Sequence, residues 1–219
     1  MRKPQLSLFV LLTLAFTAQV YGQDERPLRW HVDAGYSWTS GRTSDFLDDG
    51  WMLGAGVTWT PRSDSPLSLL AELHYSNYDA TDNLIRLANQ QSDSVRIDDG
   101  DTDIWGLNVN GVYRIPFGAR ARGYVTAGIG EYYRNVQMTQ TVLIAGTYCD
   151  PWWGFCYQAV FPGQAIVQEQ STTRFAWNAG IGVEFPLSGG SSWFIDLRYQ
   201  RIETSEPTEF IPLKVGFRF

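Results

Sequence analysis

The final nine residues, Ile211-Pro212-Leu213-Lys214-Val215-Gly216-Phe217-Arg218-Phe219, alternate without a break and end on an aromatic side chain. Apolar groups occupy Ile211, Leu213, Val215, Phe217 and Phe219, and Pro, Lys, Gly and Arg fill the places between. A period of two sends alternate side chains to opposite faces of a strand. One face therefore suits hydrocarbon and the other a polar interior. In a soluble sheet an exposed apolar edge of this kind is a sticky liability. In a bilayer it is the closing stave of a barrel, because only a closed sheet leaves no backbone group unpaired.

Seven earlier segments repeat the pattern. Leu28 to Thr39 sets Trp30, Val32, Ala34, Tyr36 and Trp38 against His31, Asp33, Gly35 and Ser37. Trp51 to Thr60, Leu67 to Tyr78, Thr102 to Ile115 and Arg122 to Arg134 follow, then Arg174 to Phe185 and Ser192 to Arg201, with the eighth strand starting at Phe210. Short connections rich in Pro, Gly and Ser alternate with four long ones, Ser40–Gly50, Asp79–Asp101, Asn135–Thr173 and Ile202–Glu209. Short turns on one side and long loops on the other predict an all-β, eight-stranded antiparallel transmembrane barrel with periplasmic turns and extracellular loops.

The outward face carries the expected girdle residues. Trp30 and Trp38 are eight steps apart, as are Trp51 and Trp59. At ~3.3 Å per residue and a tilt near 40°, eight steps cover roughly 20 Å of membrane depth, close to the apolar band between two aromatic belts. Trp105 and Trp193 complete the predicted girdle. Aromatics make up 15% of the chain while mean hydropathy is only -0.21, as expected when lipid-facing and lumen-facing residues average out.

The first 22 residues have a basic start at Arg2 and Lys3, an apolar stretch from Leu6 to Phe16, and Val20-Tyr21-Gly22 before a cut ahead of Gln23. This is the layout of a secretory signal peptide. Residues 23–219, about 197 in all, are expected to form one outer-membrane barrel domain. The net charge of -6 argues against nucleic acid as a partner.

On these features the chain resembles the small, porin-like eight-stranded outer-membrane barrels of the OmpA and OmpX kind. The resemblance rests on the signal peptide, the eight alternating segments, Gly-rich strands such as Val125-Thr126-Ala127-Gly128-Ile129-Gly130, and the terminal Val215-Gly216-Phe217-Arg218-Phe219. It implies an outer-membrane monomer in contact with lipid and lipopolysaccharide. It also implies that Val215, Phe217 and Phe219 form the signal read by barrel-assembly machinery.

Parity turns Asp33, Glu72, Glu184 and Asp196 into the lumen with Arg114, Arg198, Lys214 and Arg218, and also Arg122 and Arg174. Charges of both signs in so narrow a space are expected to pair, because an unpaired one costs several kcal/mol. Glycines at 54, 56, 106, 128, 130, 180, 182 and 216 leave room for the long side chains. A second reading makes the network a gate, with Glu72 exchanging Lys214 for Arg198 in a small ion pore.

Chemistry has one candidate motif. His74-Tyr75-Ser76-Asn77 resembles the His-x-Ser-Asn segment of outer-membrane lipid A deacylases, with His74 as base and Ser76 as nucleophile. It sits in the third strand rather than near the C-terminus, and Leu73 and Tyr75 claim the lipid face. His74 is therefore placed in the internal polar network and the enzyme reading is the runner-up. Asp98-Asp99-Gly100-Asp101-Thr102-Asp103 lacks the Glu that closes an EF-hand loop and reads as a solvated acidic segment. No metal or other cofactor is expected.

The third long loop is the most individual part. Cys149 and Cys156 enclose Asp150-Pro151-Trp152-Trp153-Gly154-Phe155, and two cysteines in an exported chain predict a disulfide. Two Cys without His at metal spacing do not suit zinc. Thr141–Ile144 and Gln158–Phe161 flank the tip as runs able to extend the sheet. Trp152, Trp153 and Phe155 on a stapled tip predict contact with an extracellular protein ligand. The expected role is non-enzymatic, in membrane integrity or surface recognition and adhesion.

Overall fold

The computed structural model describes residues 27–219 except 63–64, 92–95, 117–120 and 150–153. The signal peptide and its cut lie outside the described residues, as do Trp152 and Trp153. The strands are β1 (Leu28–Ser40), β2 (Gly50–Trp59), β3 (Leu67–Asp79), β4 (Asp99–Pro116), β5 (Arg122–Cys149), β6 (Cys156–Pro186), β7 (Ser192–Ile202) and β8 (Thr208–Arg218). Each pairs antiparallel with its neighbours in sequence, and β1 pairs with β8 to close the barrel. Among the described residues no helix is long and apolar enough to cross a membrane; the crossing is made by strands.

The seam closes at the terminal aromatic. Trp30 N–H donates to the Phe219 carbonyl at 2.9 Å, and Phe219 N–H donates back to the Trp30 carbonyl at 2.9 Å. No edge is left in hydrocarbon, where an unsatisfied backbone group costs several kcal/mol.

Alternation decides which side chains point where. Lipid-facing Val32, Leu73, Leu107, Ile195 and Val215 are exposed, while their strand neighbours are buried in the lumen. Aromatics gather in two belts. Trp51, Tyr75 and Trp105 meet across β2, β3 and β4 with ring centroids 5.3 and 4.9 Å apart, and Trp193 meets Phe217 at 5.3 Å near the other end. Rings at this depth are half in lipid and half in the hydrated headgroup zone, which suits an indole.

Inside, two glycines make close approach possible. A Cβ at position 106 would collide with the His74 and Tyr132 rings, and one at 182 with Tyr124. The space a side chain would fill is already taken by the partner strand's aromatic.

Three expectations need correction. Asn135–Thr173 is not a loop: β5 and β6 run on as a continuous hairpin, paired as far as Cys149 and Cys156. The second long connection contains a helix, α1 (Asp82–Gln91). The Thr81 side chain accepts a hydrogen bond from the Leu84 N–H at 3.3 Å, a cap at the helix start. Finally, Arg122 and Arg174 are exposed, not buried in the lumen, because each lies where its strand leaves the packed interior.

Candidate functional site

The lumen is filled in layers. Nearest the short turns, Glu184 accepts from Arg218 at 2.6 Å, Arg29 at 3.0 Å and Ser192 at 2.6 Å. Arg114 is half-buried and donates to Ser68 at 2.5 Å. Arg218 also lies over the Phe194 ring, 5.0 Å from its centroid.

The central layer holds the main ion network. Arg198 donates to Asp196 at 2.6 Å and to Glu72 at 2.9 Å, and Lys214 donates to the other Glu72 oxygen. Tyr124 donates to Asp196 at 2.8 Å, while Lys214 stands 3.8 Å from Asp33 and His31 stands 3.4 Å from it. Four strands contribute: β1 gives Asp33, β3 Glu72, β7 Asp196 and Arg198, and β8 Lys214. His31, Asp33 and Glu72 bring ligand-type atoms within 4.8 Å of one another. The Lys214 ammonium contacts both carboxylates and so occupies the cationic position among them.

Above this layer His74 faces inward, buried, with its Nδ1 3.3 Å from the Asn108 amide. Asn108 in turn donates to the Tyr132 hydroxyl at 2.8 Å. Ser76 is also buried on the inward face, two positions further along β3. Both residues of the candidate motif therefore face the packed interior, and the sides of β3 that touch lipid belong to Leu73 and Tyr75.

The extracellular end of the lumen is apolar, which the polar parity reading did not anticipate. Leu47, Tyr78, Ile104, Tyr132, Ala176, Ile202 and Phe210 form one buried cluster. Tyr78 stacks on Phe210 at 4.6 Å and donates its hydroxyl to Ser37 at 2.8 Å. Eight strands leave an interior that side chains can fill, and here a charged column is capped by a dry layer.

Beyond that cap the β5–β6 hairpin continues alone. β4 last pairs with β5 at Asp99–Thr139, and β7 last pairs with β6 at Ile202–Ala176. A bulge at Met138/Thr139 bends the ribbon where it departs. The ten residues from Gln140 to Cys149 span roughly 30 Å of extended strand. A bond between Cys149 and Cys156 closes the tip. Leu143 is 77% exposed, Val160 61%, Ile166 57% and Phe155 56%, all beyond the lipid belt. Between Asn135 and Gln168 the only charged residue is Asp150.

The sequence profile of the family described as outer membrane protein beta-barrel domain matches residues 8–219. The chain belongs to this family. Its outer-membrane location follows from that membership and from the lipid-facing strands. No curated protein matches the sequence.

Solved structures give the same architecture. Neisserial surface protein A shares 10% identity and a TM-score of 0.54, over 90% of this chain and 98% of that one. A major outer membrane protein from Thermus thermophilus shares 11% identity and a TM-score of 0.53, over 89% of this chain and 99% of that one. The attachment invasion locus protein Ail of Yersinia pestis shares 12% identity and a TM-score of 0.45, over 89% and 100%. At such identities the likeness is one of fold.

Proposed function

We propose that this family member is a non-enzymatic surface-recognition protein in which the barrel is an anchor and the β5–β6 ribbon is the reading head. The carrying observation is the ribbon itself. It extends roughly 30 Å past the last flanking strand and keeps Leu143, Val160 and Ile166 exposed where no lipid covers them. An isolated two-stranded hairpin is marginal in water, so a staple at the tip supports a shape that is used. Large exposed apolar groups rimmed by polar ones mark interaction sites. Gln and Thr between them leave the ribbon nearly free of charge, which favours a protein or glycan partner over a strongly charged one. That one structural neighbour is itself a Neisserial surface protein is in keeping with this reading.

The test is whole-cell binding by the full protein and by a variant in which residues 140–165 are replaced by a short Gly-Ser turn. The panel is host-matrix proteins, complement regulators and lipopolysaccharide, with surface display matched. Binding lost with the ribbon supports recognition. Equal binding, or none by either form, returns the protein to a role in membrane integrity. Lipid A mass spectra from cells with and without the protein test the alternative in which His74 and Ser76 act on lipid. Single-channel recording tests the pore reading, for which the apolar layer predicts near-zero conductance.

A further inference from the structure

Beyond the barrel the outer edge of β5 is bare. Among the described residues no strand lies beside it past Thr139, where the pairing with β4 stops. The direction of the backbone groups on that edge is fixed at both ends. At the base, Asp98 N–H donates to the Thr139 carbonyl at 3.0 Å, and Thr141 N–H donates to the Asp98 carboxylate at 2.9 Å. Thr139 and Thr141 therefore aim their backbone groups away from β6. The β5–β6 register runs unbroken from Thr139 to Cys149, so every second residue does the same. At the tip, Cys149 and Cys156 stand with Cα atoms 4.0 Å apart, the close spacing of an antiparallel pair that exchanges no hydrogen bonds. Cys149 thus also points outward. Leu143, Ala145, Thr147 and Cys149 each present an N–H and a C=O along this edge, and Asp98 already covers the N–H of Thr141.

The segment behind that edge suits a strand partner. Thr141-Val142-Leu143-Ile144-Ala145-Gly146-Thr147 has no charge and no proline and is rich in β-branched side chains. That is the composition of segments that pair with copies of themselves. Proteins commonly blunt such edges with lysine, proline or a covering loop. The other edge of the ribbon follows that rule: Pro162, opposite Leu143 on β6, has no N–H to offer. From Leu143 to Cys149 the β5 edge has neither proline nor charge.

We infer that this edge pairs with the same edge of a second copy of the chain, held in the membrane of a facing cell. The inference rests on the ribbon reading and names its partner. Antiparallel pairing centred on Gly146 sets Leu143 opposite the partner's Cys149 and Ala145 opposite the partner's Thr147. By two-fold symmetry Thr147 and Cys149 are served in turn, so every outward residue above Thr141 finds a partner. Glycine at the axis suits the close pair there, where Cα atoms approach to about 4.5 Å. Two copies in one membrane have β5 strands running the same way, so this antiparallel pair forms only between opposed membranes. Thr139 lies seven residues from Gly146 on each chain. At ~3.3 Å per residue the two barrel rims are then about 45 Å apart along the strands. Charge permits the contact. The span from Asn135 to Gln168 holds only Asp150, so identical edges meet without the repulsion of opposed like charges.

The experiment displays the full protein on two cell populations with truncated lipopolysaccharide, labelled with different fluorophores, and counts mixed-colour clumps by flow cytometry. Mixed clumps are expected only when both populations display the protein. Ala145→Pro removes one outward N–H where, as at Pro162, no bond to the neighbouring ribbon strand is lost. At equal display it is expected to cut mixed clumping at least tenfold, and Ala145→Ser by less than twofold. Gly146→Cys on both populations is expected to give an intermolecular cystine in clumped cells under mild oxidation, and Thr141→Cys none. This cross-link reads the register directly and stands by itself if Ala145→Pro fails to reach the surface. Clumping when one population lacks the protein, full clumping by Ala145→Pro, or a Gly146→Cys dimer in dispersed cells would overturn the inference. Panel binding lost with the ribbon, with no mixed clumping, overturns self-pairing alone and leaves the recognition reading in place.

Discussion

Strands β5 and β6 belong to two different environments along their length, and the contrast between them is instructive. From Arg122 to about Thr139, β5 is paired on both edges and alternates lipid-facing with lumen-facing side chains. From Gln140 to Cys149 the same strand has β6 on one side and no strand on the other. In the first part lipid forbids any unpaired backbone group and the lumen forbids any unpaired charge. In the second neither prohibition applies, and the sequence changes accordingly: charges nearly vanish and Gln, Thr and exposed aliphatics take over. The barrel is determined by what its surroundings exclude. The ribbon is free to be shaped by what it meets, as loops on rigid scaffolds commonly are.

The largest expected break of this comparison is Glu72→Ala. It would strand Lys214 and Arg198 in the lumen, and removing one partner of a buried pair costs about 3–5 kcal/mol. Urea unfolding of the refolded barrel would measure it, and a change of the same size from Leu143→Ala in the ribbon would erase the distinction drawn here. Next is Asn108→Leu, which leaves the buried Tyr132 hydroxyl and His74 without their partner and is expected to cost about 1–3 kcal/mol.

Smaller on the barrel but sharp on the ribbon is Cys149→Ser with Cys156→Ser. Barrel unfolding should move by less than about 0.5 kcal/mol, while limited proteolysis should cut the ribbon several-fold faster. A barrel that weakens as much as its ribbon would show the two parts to be one cooperative unit.

The smallest effect is expected at the acidic rim. Asp79 and Asp101 are directly opposed on β3 and β4. The Asp101 carboxyl is held above its ordinary range, first by partial burial and then by Asp99, Asp79 and Asp103. A raised carboxyl favours the protonated form in the folded state, so its contribution to stability grows as pH falls through that range and declines toward neutral pH. Asp101→Asn should remove this dependence and raise neutral-pH stability by roughly a few tenths of a kcal/mol, small because the group is mostly solvated.

Much of the barrel was legible because hydrocarbon enforces alternation. Trp30, Trp38, Trp51, Trp59, Trp105 and Trp193 lie on the outer face, and the inward set containing Asp33, Glu72, Asp196, Arg198 and Lys214 forms one connected network. The ribbon was legible only in part, through the runs Thr141–Ile144 and Gln158–Phe161 and the two cysteines; its full length was not, because with no lipid on one face its strands lack the apolar period that marks the others. α1 did leave a sign, Thr81 as cap with Leu84, Ile85, Leu87 and Ala88 behind it, but the acidic residues around it suggested plain solvated loop. The apolar cap also obeys parity, since Ile104, Tyr132 and Phe210 fall on inward positions; attention to charges passed over them.

The mutual hydrogen bonds of Trp30 and Phe219 have a bearing on how the molecule is made. Every other seam joins strands that are neighbours in the sequence, whereas this one joins the first to the last. The contact of highest sequence separation tends to form late, since its loop entropy must be met before it rewards the chain. Until then β1 and β8 each carry a bare edge, intolerable in hydrocarbon. Stable residence in the membrane is thereby tied to the pairing of β1 with β8, the one contact that leaves neither edge bare.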